Sequence, residues 1–141
     1  MANEMSVDAQ SIGESSFAID TGSGHRIVLS GAPEDQGPRP MEMLLVALAG
    51  CAGVGVLSIL RKMHQNVTDY EIRVHGERAS EDPKVFTVIE VEHIFTGSNL
   101  RPESIERAIK LDTTHYCGVN VMLSSSATIK HSFQIREVSV S

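Results

Sequence analysis

From Met43 to Leu57 the chain carries no charge, and Ser58-Ile59-Leu60 lengthens the apolar run to about a bilayer span. Glu42 and the Arg61-Lys62 pair bound it closely. Proline at position 40 suits a first helical turn, whose N–H groups have no intrahelical partner. The segment predicts one long helix from Pro40 to about Gln65. Two placements fit a helix that is apolar all round: across a membrane, or buried at the centre of a fold. The run is crowded with Ala and Gly, and the rest of the chain reads as amphipathic, so the buried central helix is preferred and no membrane is expected. Gly50, Gly53 and Gly55 lie within it and read as small residues that allow close packing, against a symmetry mate in particular.

The flanking pattern supplies strands. Ser16–Asp20 and His25–Ser30 read as a hairpin about the turn Thr21-Gly-Ser-Gly24. Residues 31–40 form a Pro/Gly-rich loop. Tyr70–Glu77 alternates, with Tyr70, Ile72 and Val74 on one face. Val85–Thr96 follows with Ile89, Val91 and Phe95 inward. A second helix opens at Asn99–Arg101 and buries Ile105, Ala108, Ile109 and Leu111; Cys117-Gly118 ends or breaks it, and Val119–Leu123 adds a helical turn. Ala127–Val138 closes the chain as a strand with Ile129, Phe133 and Ile135 inward. The order β-β-α-β-β-α-β, rich in hairpins, predicts an α+β fold with a largely antiparallel sheet and its helices on one face. At 141 residues, a single domain over 1–141 is expected.

Composition removes several functions. The net charge is −6 and the twelve Lys and Arg are scattered, so no nucleic-acid partner is expected. There is no Trp to build a stacking platform. Met1-Ala-Asn-Glu-Met-Ser lacks the basic and apolar regions of a signal peptide, which places the chain in the cytoplasm, where cysteines are reduced. The six histidines show no metal-ligand spacing, so no metal or bound cofactor is expected.

The two cysteines are the groups with redox chemistry. Cys51 sits about eleven residues into its helix, far from the N-terminal dipole, and burial alone raises a thiol pKa. A buried cysteine often only fills space. A reactive Cys51 therefore needs a cation beside it, and Arg26 and Arg39 are the candidates. Cys117, on the second helix, could condense with a sulfenic acid on Cys51 to give a disulfide, provided the fold brings the two together. Spacing leaves that distance open. Glu42 is either an acid stabilised by the helix dipole or a carboxylate that orients an arginine. It stands nine residues before Cys51, about half a turn off its helix face. Service in one site then favours contributions from different subunits.

Gly37-Pro-Arg-Pro-Met-Glu-Met-Leu-Leu-Val-Ala-Leu-Ala-Gly-Cys51, Ser58-Ile-Leu-Arg-Lys62, Pro83-Lys-Val-Phe86, Glu106-Arg-Ala-Ile-Lys-Leu111 and Tyr116-Cys-Gly-Val119 follow one another in register. With these the chain resembles the OsmC/Ohr family of thiol-dependent peroxide reductases, in its OsmC-like (YhfA-type) branch, from about Gly24 to Glu137. The family glutamate usually follows the proline directly, where this chain has Met41 before Glu42. The resemblance implies an OsmC-like fold and an intertwined homodimer. It implies Cys51 as peroxidatic and Cys117 as resolving thiol, assisted by a glutamate (Glu42) and an arginine (Arg26 or Arg39). The expected activity is reduction of organic hydroperoxides, with a dithiol reductant restoring both thiols. The alternative is a non-catalytic thiol sensor, or a small-molecule-binding dimer, on the same fold.

Overall fold

The computed structural model describes residues 3–138. It divides into two compact units, with the boundary between Leu44 and Leu45.

The first unit is a three-stranded antiparallel sheet in the order β1-β2-β3, formed by β1 (Val7–Ser11), β2 (Ser16–Thr21) and β3 (Arg26–Ser30). The β2–β3 hairpin matches the sequence expectation, but β1 does not appear in it. All five residues of β1 are exposed, so its brief Val7/Ala9 alternation buries nothing, and pairing with β2 makes it a strand. The loop after β3 is tied back by Glu34. Its carboxylate accepts from Ser15 N at 2.6 Å, Ser15 Oγ at 3.0 Å and Ser16 Oγ at 2.8 Å. These bonds hold the Glu34 pKa below the usual carboxylate value.

The second unit holds most of helix α1 (Pro40–Lys62), then β4 (Asn66–Arg78), β5 (Phe86–Ser98), α2 (Pro102–Leu111), a five-residue π-turn (Asp112–Tyr116), α3 (Gly118–Leu123) and β6 (Thr128–Glu137). The sheet order is β4-β5-β6. β4 and β5 are antiparallel, as a hairpin must be, whereas β6 runs parallel to β5. The largely antiparallel pairing matches the expectation, but the single sheet is corrected: the described residues form two sheets, and β6 makes the second one mixed. The physical reason is the α2–π–α3 crossover, which returns the chain to the starting end of β5, and a connection of that length permits parallel pairing.

The core joins Val56 and Leu60 of α1 to Phe95 of β5, to Leu100, and to Ile105, Ala108 and Ile109 of α2. Phe133 and Ile135 of β6 pack against it, as their parity along the strand requires. α1 ends at Lys62, three residues short of the expected Gln65, because His64 adopts φ 59° and closes the helix in a left-handed turn. By length and composition α1 could cross a membrane. Within the described residues it is not buried all round. One stripe, Leu48, Ala52, Val56 and Leu60, meets the core at four-residue spacing. Val46 and Val54 stay 54% and 74% exposed. The expectation of a helix buried on every side fails within a single chain, because one sheet covers one face of a helix.

Candidate functional site

Cys51 and Cys117 meet. Cys51 is half-buried on α1, one turn before Gly55 on the same face. Cys117 is 1% exposed, and Cys51 lies near enough to act on its thiol. The local chain places Cys117 there. Its N–H donates to the Asp112 carbonyl at 2.7 Å, which closes the wider ring of a π-turn and sets residue 117 beside residue 112. Its sulfur then caps α3 by accepting from Asn120 N at 3.4 Å. Burial pushes the Cys117 thiol up to about 12, helped by neighbouring Cys51 and Asp112, against the lowering effect of the Asn120 N–H. Cys117 thus keeps its proton at neutral pH.

Asp112 lies beside this pair. It is 1% exposed, and among the described residues neither carboxylate oxygen has a hydrogen-bond partner. Burial lifts its pKa to about 6 from 3.8. The carboxylate occupies the space over Gly55: a β-carbon at residue 55 would run into Asp112 Oδ1 and come within 2.8 Å of its Cγ. Glycine at 55 is what lets the acid reach the helix face that carries Cys51.

A second polar array runs away from Cys117 through the sheet. Asn120 Nδ2 donates to the Thr113 carbonyl at 3.5 Å, which turns Oδ1 toward His131 Nε2, 2.9 Å away. An amide oxygen only accepts, so His131 Nε2 carries the proton and its Nδ1 is bare. His93 Nε2 therefore donates to His131 Nδ1 at 2.9 Å, and Tyr70 O–H donates to His93 Nδ1 at 2.6 Å. Burial, with the neighbouring His131, lowers His93 to about 3, and burial also lowers His131. Both rings are neutral at pH 7, as this pattern needs. Burial, reinforced by the charge of Asp112, raises Tyr70, so it keeps its proton. The array is fully satisfied, which stabilises a buried polar network, while Asp112 is left without a partner.

The sequence reading named neither Asp112 nor this array. His93 and His131 share strand parity with Phe95 and Phe133, which places them inward, and that parity was the available signal. No local signal marked Asp112.

The other expected site residues have partners of their own. Arg26 is exposed and forms a two-pronged pair with Asp20, Nε to Oδ1 at 2.7 Å and Nη2 to Oδ2 at 2.9 Å. Arg39 Nη1 donates to Asp35 Oδ1 at 2.9 Å and to the Gly37 carbonyl at 3.1 Å. Glu42 Oε1 accepts from the Arg39 backbone N–H at 2.8 Å, the return half of a capping box at the start of α1. Glu42 here serves the helix end and does not meet the Arg39 guanidinium in an ion pair. Among the described residues, no three His, Cys, Asp or Glu side chains converge to hold a metal.

The family model for OsmC-like proteins matches residues 33–132. Protein YhfA of Escherichia coli K12 is 40% identical over 119 residues, 84% of this chain and 89% of that protein. The crystal structure of a hypothetical protein from Aquifex aeolicus superposes with TM-score 0.89 at 31% identity, covering 97% of this chain and 99% of that one. An organic hydroperoxide resistance protein OsmC from Legionella pneumophila shares the fold at TM-score 0.69 and 13% identity, over 95% of this chain and 98% of that one.

Proposed function

We propose that this chain, which belongs to the OsmC-like protein family, is a thiol-dependent peroxidase that reduces organic hydroperoxides through Cys51 and Cys117. One observation carries the reading: two thiols sixty-six residues apart in sequence are brought close enough that Cys51 raises the pKa of the buried Cys117. That is the arrangement a resolving thiol needs. The Cys51 thiolate attacks the terminal peroxide oxygen, the O–O bond breaks, and the alcohol leaves with a proton, giving a sulfenic acid. The Cys117 sulfur then displaces hydroxide from the Cys51 sulfur, which forms the disulfide and water. A dithiol reductant returns both cysteines to thiols and is itself oxidised. The apolar surroundings of Cys51 favour a substrate with an alkyl tail over hydrogen peroxide.

The exposed apolar residues of α1, Val46 and Val54 among them, support a homodimer built on this helix. In such a dimer Arg26, Arg39 or Glu42 of a partner subunit could serve the thiols. The thiol chemistry itself calls for a reducing compartment, the cytoplasm.

The rival, a non-catalytic thiol sensor or small-molecule-binding dimer, has one observation in its favour. Arg26 and Arg39 are each held by a carboxylate of their own. Peroxide consumption separates the two readings. Reduced protein with cumene hydroperoxide and a dithiol should turn over, Cys51→Ser should abolish turnover, and Cys117→Ser should let Cys51 overoxidise, seen by intact mass. Equal rates in wild type and Cys51→Ser would refute the peroxidase.

A further inference from the structure

We infer that Asp112 is the acid–base residue of the cysteine pair: it takes the thiol proton from Cys117 as the disulfide forms and delivers it to the group that leaves Cys51. The inference rests on the thiol chemistry proposed above and adds to it the proton carrier that this chemistry lacks.

The need is evident from Cys117 itself. Its sulfur must become a nucleophile, yet it is buried and gives up its proton reluctantly. Among the described residues, the backbone donor to its sulfur is the Asn120 N–H, which offers a little stabilisation and cannot accept a proton. Three features of Asp112 answer the need. The π-turn fixes it against Cys117, with the Cys117 N–H bonded to its carbonyl at 2.7 Å. Its carboxylate fills the notch that Gly55 leaves on α1, one turn below Cys51. Both of its oxygens are buried and, among the described residues, unpartnered, so their lone pairs are open to a proton. A carboxylate held for structure alone would be paired, because an unsatisfied buried charge destabilises a fold.

The titratable groups that face Asp112 are Tyr70 from β4, Cys117 at the end of its own turn, and Cys51 from α1 beyond Gly55. His93 and His131 stand past Tyr70 in the hydrogen-bonded array. Tyr70 and Cys117 hold their protons, and both histidines stay neutral, through the neutral range. Asp112 is left as the group with a folded pKa, about 6, that lets it exchange a proton near neutrality.

The step balances. Asp112 carboxylate removes the proton from the Cys117 thiol. The Cys117 sulfur bonds to the Cys51 sulfur as the S–O bond of the sulfenic acid breaks. The departing hydroxide takes the proton from Asp112 and leaves as water. With a glutathione mixed disulfide on Cys51, the same proton goes to glutathione thiolate, so the resolving step can be studied without peroxide.

The test follows that resolving step in single turnovers of the reduced full-length protein. One arm uses cumene hydroperoxide and the other glutathione disulfide. Acid quenching and intact mass separate the adduct on Cys51 from the Cys51–Cys117 disulfide. In wild type the resolving rate should rise with pH through about 6 and then level off. Asp112→Asn should slow it about 100-fold at neutral pH and move the rise to alkaline pH, where Cys117 ionises unaided. Asp112→Glu should restore a rise near neutrality. A resolving rate in Asp112→Asn equal to wild type, with the same pH profile, overturns the assignment. A wild-type profile without a break near pH 6 also overturns it, and that readout needs no variant to fold. If glutathione gives the expected profiles and peroxide leaves Cys51 untouched, the peroxidase reading falls and the role of Asp112 stands.

Discussion

Replacing Asp112 with Asn should make the protein more stable at neutral pH, and the size follows from the buried carboxylate. Its pKa is about 6 in the fold and 3.8 when free. Each unit is worth about 1.36 kcal/mol, so the ionised carboxylate costs the native state about 3 kcal/mol above both values. A raised folded pKa means the native state binds more protons than the unfolded chain between 3.8 and about 6. The favourable share is therefore complete below 3.8 and lost as pH rises through about 6. His93 works in the opposite direction. Its pKa falls to about 3 from 6.5, so its contribution is present above 6.5 and lost on acidification. A wild-type curve mixes the two effects, but the difference between wild type and Asp112→Asn cancels His93, which both proteins share. About 0.5 kcal/mol of the Asp112 cost is already present at about pH 4, so the stability gap should widen by about 2.5 kcal/mol between about pH 4 and about pH 7.5. For a chain of 141 residues that is roughly 8 °C in Tm. Urea unfolding by circular dichroism at the two pH values reads it directly. A gap of the same size at both would refute the reasoning, because it would show that the carboxylate is solvated or paired in the native state.

Gly55→Ala should destabilise the fold by about 1–3 kcal/mol, since the added carbon displaces Asp112. Gly50→Ala, which meets nothing within 4 Å, should be neutral or stabilising by up to about 1 kcal/mol, and denaturant midpoints of the two variants test the contrast. His93→Gln should flatten the loss of stability between pH 6.5 and about 3, a loss that burial of neutral His93 sets at about 5 kcal/mol in wild type. An unchanged acid limb in that variant would show that His93 titrates freely.

The parts of the structure that repeat with a short period were readable in the sequence. Pro40 starts α1 where expected, and the alternation of Ile129, Phe133 and Ile135 matches their half-buried positions on β6. Ile105, Ala108 and Ile109 form the buried stripe of α2 as their spacing requires. What escaped depends on contacts between distant segments. β1 is a strand because β2 pairs with it, and β6 is parallel because its crossover is long. The candidate site divides in the same way. Both cysteines could be named from their residue type, but their contact could not, because it depends on how α1 meets the chain after α2. Asp112 carries no local sequence signal, and the notch at Gly55 reveals its place.

The π-turn also governs which changes in chain length the site can tolerate. Its ring closes from Cys117 back to Asp112, one residue wider than an α-helical ring. Thr114, His115 and Tyr116 are exposed, so the identity of these residues is loosely constrained. Their number is not. Deleting one would restore ordinary α-helical closure and rotate everything downstream by about 100°. Cys117 would then swing off Asp112 and out of reach of α1, although no residue named in the site had been altered. Related chains that keep a paired thiol should therefore preserve the length of this short segment even where its spelling drifts.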